Sequence, residues 1–416
     1  MSDVYIIGVG MTPFGKLTHM TVKDLTRAAS DAALADAGIA RDAIGAAFFG
    51  NAGQAALEGQ FMVPGEIALR AAGYSGIPIV NVENACASAS TALHQAYTYV
   101  KAGMAEVVLA IGAEKMYIED RARMFGVFDG AWDVSRGQAN LDAIIELAKD
   151  MPLPPEALQD TGQRSVFMDM YANLARFHMK TFGTTQRQIA AVAAKNHHHS
   201  TLNPLSQYRN DLSIDEVLAS RLIAWPLTLP MCAPISDGAA AAVVCHADYL
   251  KKLGTRRAVR IAASVLASGS DRRADEWDKA MCRIAVFKAY EQAGIGPEEV
   301  SLAEVHDASA FAEILQTENL GFCAPGEGGH LAASGATSLG GRIPVNPSGG
   351  LESKGHPIGA TGLGQVFELV QQLRGEAGER QVADARFAIA ENGGGFHGYE
   401  EAAACITLLA RPEAIH

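Results

Sequence analysis

The sequence predicts an α/β fold made of two duplicated halves, and three observations carry that reading. Short apolar runs that end at glycine alternate with segments of helical spacing, the pattern of layered strands and helices. The alternation stops in mid-chain and then restarts. Two segments also match in kind. Val80 to Val100 reads VNVENACASASTALHQAYTYV and Asn346 to Val370 reads NPSGGLESKGHPIGATGLGQVFELV. Each is read as a strand, a small-residue turn and an apolar helix, one presenting Cys86 and the other His356.

Val4–Val9 is the first strand, and Thr21–Ala37 is a helix stopped by Gly38. Ala46–Gly50 and Ile79–Val82 are strands, Ala85–Ala102 a helix, and Glu106–Gly112 a strand continuing into Ala113–Met116. From Tyr117 to about Pro230 charges, aromatics, methionines and prolines rise, and Ser165–Phe182, Thr185–His199 and Ile214–Ser220 have helical character. Ser236–Cys245 resumes the strand pattern. Ala258–Ala267 begins again like the N-terminus, followed by a helix at Glu276–Ala293, a strand at Leu302–His306 and a helix at Ala310–Leu320. The Asn346–Leu373 unit and the closing strands Ala385–Glu391 and Ala402–Leu409 complete the repeat. The expected organisation is therefore residues 1–116 plus 231–257 as a first half, 117–230 as an inserted lid, and 258–416 as a second half.

With 416 residues, 49% of them hydrophobic, the chain can bury sizeable cores. A net charge of −12 argues against a nucleic-acid surface, though a local basic patch would still suit a phosphorylated small ligand. The cysteines at 86, 232, 245, 282, 323 and 405 are scattered without a CxxC pair, so neither a zinc site nor a secreted disulfide framework is indicated. MSDVYIIGVGMTPFG reads as a strand and turn without the marks of a signal peptide. No apolar run approaches the roughly 18–20 residues of a membrane span. A cytoplasmic setting is the expectation.

Cys86 lies between Ala85 and Ala87, just before a helix. A helix N-terminus favours thiolate over thiol, which suits a nucleophile. The bland alternative is a buried, inert cysteine. His356 sits in a glycine-rich turn, and Pro357 after it can start a helix. Such a junction, with backbone N–H groups pointing outward, stabilises an anionic intermediate. His306-Asp307 stands at the carboxyl end of a strand, where α/β folds handle ligands. The imidazole could polarise a carbonyl or move a proton, while Asp307 could simply cap the following helix. Glu391–Gly398, ENGGGFHG, reads as a triple-glycine turn whose bare N–H groups suit an oxyanion hole, with Asn392 as a further donor. His397 is read as a loop residue. His197, His198 and His199 point in different directions on a helix and are not read as a metal site. Asp237-Gly238 is read as a turn entering a buried strand.

These segments together resemble the thiolase family, nearest its sterol-carrier-protein-X type. NACASAS, NHHHSTLNP, PISDGAAAAVV, EVHDASAF, GFCAPGEGG and NPSGGLESKGHPIGATG occur in family order over nearly the whole chain. The resemblance implies two βαβαβαββ halves stacked as five αβαβα layers, with a loop domain inserted in the first. It implies Cys86 as the acyl-accepting nucleophile, His356 as its activator, and His306 near the second acyl group. It further implies an oxyanion hole from the Cys86 N–H and a glycine among Gly393, Gly394 and Gly395. Two family features are missing. The C-terminal CxG turn reads NGGG here, and the HDCF alternative reads HDAS, with Ala308. Both usual acid/base thiols are absent, and neither Cys323 nor Cys405 occupies a motif position.

The reading is a coenzyme-A-dependent acyltransferase that forms an acyl-cysteine from acyl-CoA or 3-oxoacyl-CoA, by thiolytic cleavage or Claisen-type condensation. The alternatives are a thiolase-fold retro-aldolase acting on 3-hydroxyacyl-CoA with an OB-fold, zinc-ribbon partner, and a non-catalytic acyl-CoA-binding subunit. Coenzyme A enters as substrate; no permanent metal or redox cofactor is implied. The resemblance also implies a homodimer or homotetramer.

Overall fold

The computed structural model describes residues 3–158, 162 and 164–411. The strands of the main sheet are β1 (Val4–Met11), β2 (Ala46–Gly50), β3 (Ile79–Val82), β4 (Val107–Lys115), β5 (Asp237–His246), β6 (Val259–Ser268), β7 (Leu302–Glu304), β8 (Phe387–Gly394) and β9 (Ala403–Ala410). The principal helices are α1 (Val22–Ala37), α2 (Pro64–Ala71), α3 (Ser88–Lys101), α4 (Val166–Phe182), α5 (Gln186–Thr201), α6 (Met281–Ala293), α7 (Ala310–Asn319) and α8 (Thr361–Arg374).

Strand order is β3-β2-β4-β5-β1-β6-β9-β8-β7. The two halves join where β1 meets β6, over the pairs Tyr5↔Arg260 and Ile6↔Val259. Alternation along each strand then sorts side chains between layers. Ile7, Leu109, Ile111, Ala241 and Val243 pack on α1 and α2. Ile6, Val108, Ala110, Ala242 and Val244 face the other way, onto α3 and α8. Val259, Leu302, Ala388 and Leu409 of the second half reach the same two helices. Ala263, Val265, Ile389, Ile406 and Leu408 pack outward on α6. The result is five layers, helix–sheet–helix–sheet–helix, with α3 and α8 at the centre. The predicted fold class is thus the observed one.

Local chemistry explains the first unit. Thr21 and Asp24 form a reciprocal capping box at the start of α1, and Gly38 closes it in the left-handed region at φ 67°. A Cβ at Gly10 would come within 2.3 Å of the Ala29 carbonyl oxygen, so the IIGVG strand needs glycine for α1 to lie this close.

The chain leaves the sheet after Lys115 and returns at Asp237. Between them α4 and α5 build a core from Met170, Leu174, Ile189 and Val192, which closes on Phe311 and Ile314 of α7 and on Phe396. The inserted segment therefore packs on the second half. Among the described residues, no helix is long and apolar enough to cross a membrane.

Three element readings need correction. The His356 unit has no strand: Val345 makes only an isolated bridge to Ala303, and Gly350–Lys354 forms a π-helical turn. Pro344 and Pro347 remove backbone donors, and Asn346 at φ 53° breaks the extended run. Pro357 does not open α8, which starts at Thr361; its carbonyl instead accepts the Ala360 and Thr361 N–H groups. Gly393 and Gly394 are not in a turn but end β8, paired with Ala404 and Ala403.

Candidate active site

The nucleophile elbow follows β3. Ala85 is held at φ 47°, a region costly for a residue with a Cβ. Its N–H donates to Glu83 Oε1 at 2.6 Å, and its carbonyl accepts the Ser88 hydroxyl at 2.6 Å. The next residue, Cys86, is thereby turned toward the centre of the molecule. The end of β8 presses on this elbow: a Cβ on Gly394 would stand 2.2 Å from the Asn84 oxygen and 2.6 Å from the Ala87 nitrogen.

His356 Nε2 lies 3.2 Å from Cys86 Sγ. Its Nδ1 lies 2.7 Å from Thr361 Oγ1, whose own hydrogen is donated to the Pro357 carbonyl at 3.1 Å. The threonine oxygen therefore accepts from Nδ1–H, which leaves Nε2 as a bare acceptor for the thiol hydrogen. The His356 N–H is anchored on Ser236 Oγ at 2.8 Å.

His306 completes the cluster. Its ring meets that of His356 edge-on at 5.3 Å, and donor atoms of Cys86, His306 and His356 lie within 4.8 Å of one another. The side chain is buried, yet among the described residues neither ring nitrogen has a hydrogen-bond partner. The His306 N–H donates to Glu391 Oε2 at 2.9 Å. Asp307 does not cap α7; its carboxylate accepts the Leu351 N–H at 2.8 Å and the Asn196 amide at 3.1 Å, tying the two histidine loops together.

The electrostatics of the site run against a resting thiolate. Burial, then the carboxylates of Glu114, Glu83 and Glu401, push the Cys86 thiol up to about 12. The helix end does not compensate, because Cys86 precedes even the N-cap residue, Ala87. Burial, helped by His306, holds His356 well below the ordinary imidazole range, and burial brings His306 down to about 4. The resting pair is a neutral thiol facing a neutral imidazole. Glu114 is fully buried and accepts from Asn51 Nδ2, Ala52 N, Gly53 N and Gly359 N at 2.9–3.1 Å, clasping the His356 loop to the loop after β2. Burial lifts its carboxyl to about 7.

A cavity of about 810 Å³ opens on Cys86, His306, His356 and Gly395. Asn392 lies outside it: its Oδ1 accepts the Ser90 hydroxyl at 2.7 Å, inside β8. Gly393 also lies in the strand, against Glu401. Cys232 lines the cavity, whereas Cys323 and Cys405 do not. Thr361, Ser236, Glu114 and Tyr171 were not singled out from the sequence. Only Thr361, one turn from His356 in HPIGAT, left a local signal. The three consecutive histidines diverge as expected: His198 faces Asp211 in solvent, while His197 meets Ser353 and His199 the Asn346 carbonyl. The two buried rings support the His356 loop. His397 pairs with Asp271 at the surface, and Asp237 opens β5, bound by Lys115.

Comparison with known proteins identifies the family. The family model described as thiolase, N-terminal domain, matches residues 4–215, and that described as thiolase C-terminal domain-like matches 263–407. The chain is 36% identical over 405 residues to an acetyl-CoA acetyltransferase of Methanothermobacter thermautotrophicus, covering 96% of this chain and 98% of that one. It is 37% identical over 404 residues to sterol carrier protein 2 of Rattus norvegicus, covering 94% and 69%. It is 36% identical over 384 residues to the benzoylsuccinyl-CoA thiolase subunit BbsB of Thauera aromatica, covering 91% of each. A solved structure titled Ltp2-ChsH2(DUF35) aldolase has a TM-score of 0.77 at 23% identity, covering 100% of this chain and 99% of that one, a likeness of fold. On its motifs, its layers and these full-length matches, the chain belongs to the thiolase family.

Proposed function

We propose that this thiolase-type acyltransferase carries its acyl group on Cys86. The observation that supports this reading is the 3.2 Å approach of His356 Nε2 to the sulfur, with Nδ1 fixed by Thr361. As the sulfur attacks the carbonyl of an acyl-CoA, its hydrogen passes to Nε2, and the carbonyl oxygen takes the negative charge. The N–H groups of Cys86 and of Gly394 or Gly395 receive that oxyanion. Collapse expels the CoA thiolate, which recovers the proton from His356. With a 3-oxoacyl-CoA the attack falls on the ketone carbon, and the bond that breaks leaves a carbanion α to the departing thioester. That carbon must be protonated, and run in reverse it must lose a proton. His306, whose ring nitrogens have no partner among the described residues, takes this acid/base role in place of the absent thiol: neutral, it accepts the α-proton in condensation, and in cleavage it hands the carbanion the proton that the neighbouring His356 took from Cys86.

Exchange of the acetyl-CoA methyl hydrogens in deuterated water tests that assignment. His306→Ala should slow exchange by about 10²–10⁴-fold while acyl-Cys86 still forms. Unchanged exchange in the variant would remove His306 from the role.

Lys16, Arg121 and Arg221 are exposed on the cavity rim, beside Glu83 and Glu119, and supply cations for the phosphates of coenzyme A. We further propose a homodimer, or a dimer of dimers, in the cytoplasm. Strand β3 is an unpaired sheet edge carrying exposed Val80, with exposed Phe61, Met62 and Val63 nearby in sequence, a surface suited to a second copy. All six cysteines are free, in keeping with a reducing compartment. Sedimentation at micromolar concentration should give at least twice the 43.8 kDa chain mass, and a monomer would contradict the dimer. The aldolase complex of like fold suggests a second reading, a lyase with an OB-fold companion; free aldehyde or ketone among the products, instead of two thioesters, would establish it.

A further inference from the structure

The acyl group that Cys86 accepts has to fit the cavity that holds its sulfur, and much of that lining is apolar. Cys86 packs in a cluster with Leu57, Met116 and Ile358, joined by Ile118, Val127, Phe128 and Ile235. All of these but Leu57 and Met116 also line the cavity. From Phe128 an unbroken aromatic run leads along the lid: its ring lies edge-on to Phe167 at 6.1 Å, Phe167 lies 5.3 Å from Phe396, and Phe396 lies 5.6 Å from Tyr171. Phe167 and Tyr171 line the cavity, and Met124 and Met168 stand beside them. The Phe396 N–H donates to the Ala131 carbonyl at 2.9 Å, which fixes this wall to the glycine-rich end of β8.

The cations are elsewhere. Lys16, Arg121 and Arg221 are exposed at the rim, and Arg164 is half-buried beside Asp169. The cavity lining also includes His306, His356 and the exposed carboxylate of Glu83. A two-carbon acetyl group would leave most of this wall uncovered. A ring-sized apolar group would bury it, at about 25 cal/mol for each Å² of apolar surface removed from water.

Resting on the acyl-Cys86 reading above, we propose that the preferred donor thioester carries a bulky, uncharged, ring-sized acyl group, held between Ile118, Val127 and Phe128 at the sulfur and Phe167 and Met168 of the lid. The bonds made and broken are those of the acyl transfer already described, and only the group transferred is specified.

The test is single-turnover acylation of the intact chain, followed by mass spectrometry, with acetyl-CoA, phenylacetyl-CoA and cyclohexylacetyl-CoA in parallel. The ring-bearing thioesters should acylate at least 10-fold faster than acetyl-CoA. Phe128→Ser should lower that ratio at least 5-fold, and Val127→Thr, which keeps the side-chain shape, should lower it in the same direction if the first variant fails to fold. Acetyl-CoA reacting as fast as the ring-bearing thioesters would overturn the proposal and leave Cys86 as the acyl carrier. A ratio unmoved by folded variants would overturn the assignment of this wall. An adduct with none of the thioesters would overturn the acyl-Cys86 reading itself.

Discussion

Cys86→Ser is expected to lower acyl transfer by about 10⁴-fold or more, the scale on which loss of a nucleophile falls, with the fold unchanged. Serine keeps the shape of the side chain, and its hydroxyl can still face His356 Nε2. It loses the reactivity of sulfur. The surroundings of Cys86 are built to hold a neutral group, because burial and the nearby Glu114, Glu83 and Glu401 all raise the cost of an anion there. An alcohol, far weaker as an acid than a thiol, has no route to an anion in that setting. Circular dichroism should match the parent while single-turnover acylation disappears. Residual acylation within tenfold of the parent would mean that another group carries the acyl chain.

His356→Ala should lower acylation by about 10²–10⁴-fold and, more tellingly, change its pH dependence. In the parent, the thiol pushed up to about 12 remains protonated at neutral pH. The imidazole, held well below its usual range, remains unprotonated. Both groups keep the same form between roughly pH 6 and pH 9, so neither contributes a slope across that window, and Glu114, whose carboxyl stands at about 7, adds only a change much shallower than tenfold per pH unit. Without His356 only the scarce thiolate can react, and its population grows tenfold for each pH unit below the thiol pKa. The variant's rate should therefore climb with unit slope over the same window. A parent profile that climbs in that way would show that scarce free thiolate, and not the thiol–imidazole pair, is the reacting form.

The parts of this site that the sequence reveals are those carried by one short segment. Cys86 before an apolar helix and His356 in a glycine-rich turn announce themselves by composition, and the restart of the strand pattern at Ala258 signals that two halves face each other. His306 is legible because it follows closely on a short strand, Leu302–Glu304. What escapes the sequence depends on closure in space. Glu114 reads as the polar end of a strand, and only the fold shows it gathering N–H groups from the loop after β2 and from Gly359. Cys86 acidity is hidden for the same reason: the helix start lies along the chain, whereas burial in the folded molecule, followed by the carboxylate at 114, pushes the thiol up. Asn392, which with Gly393 is one of two positions where the family resemblance implies a thiol, has its direction set by Ser90, 302 positions away. The lid aromatics Phe128 and Phe167 look like ordinary core residues until the fold shows both lining the cavity that holds the sulfur.

Peptide mapping of the acylated protein tests the central assignment most directly. After brief exposure to a radiolabelled or isotopically heavy acyl-CoA and an acid quench, the label should appear on the peptide containing NACASAS, at Cys86, as a hydroxylamine-sensitive thioester. Label on Cys232, the other thiol of the cavity, or on no cysteine at all, would contradict the account.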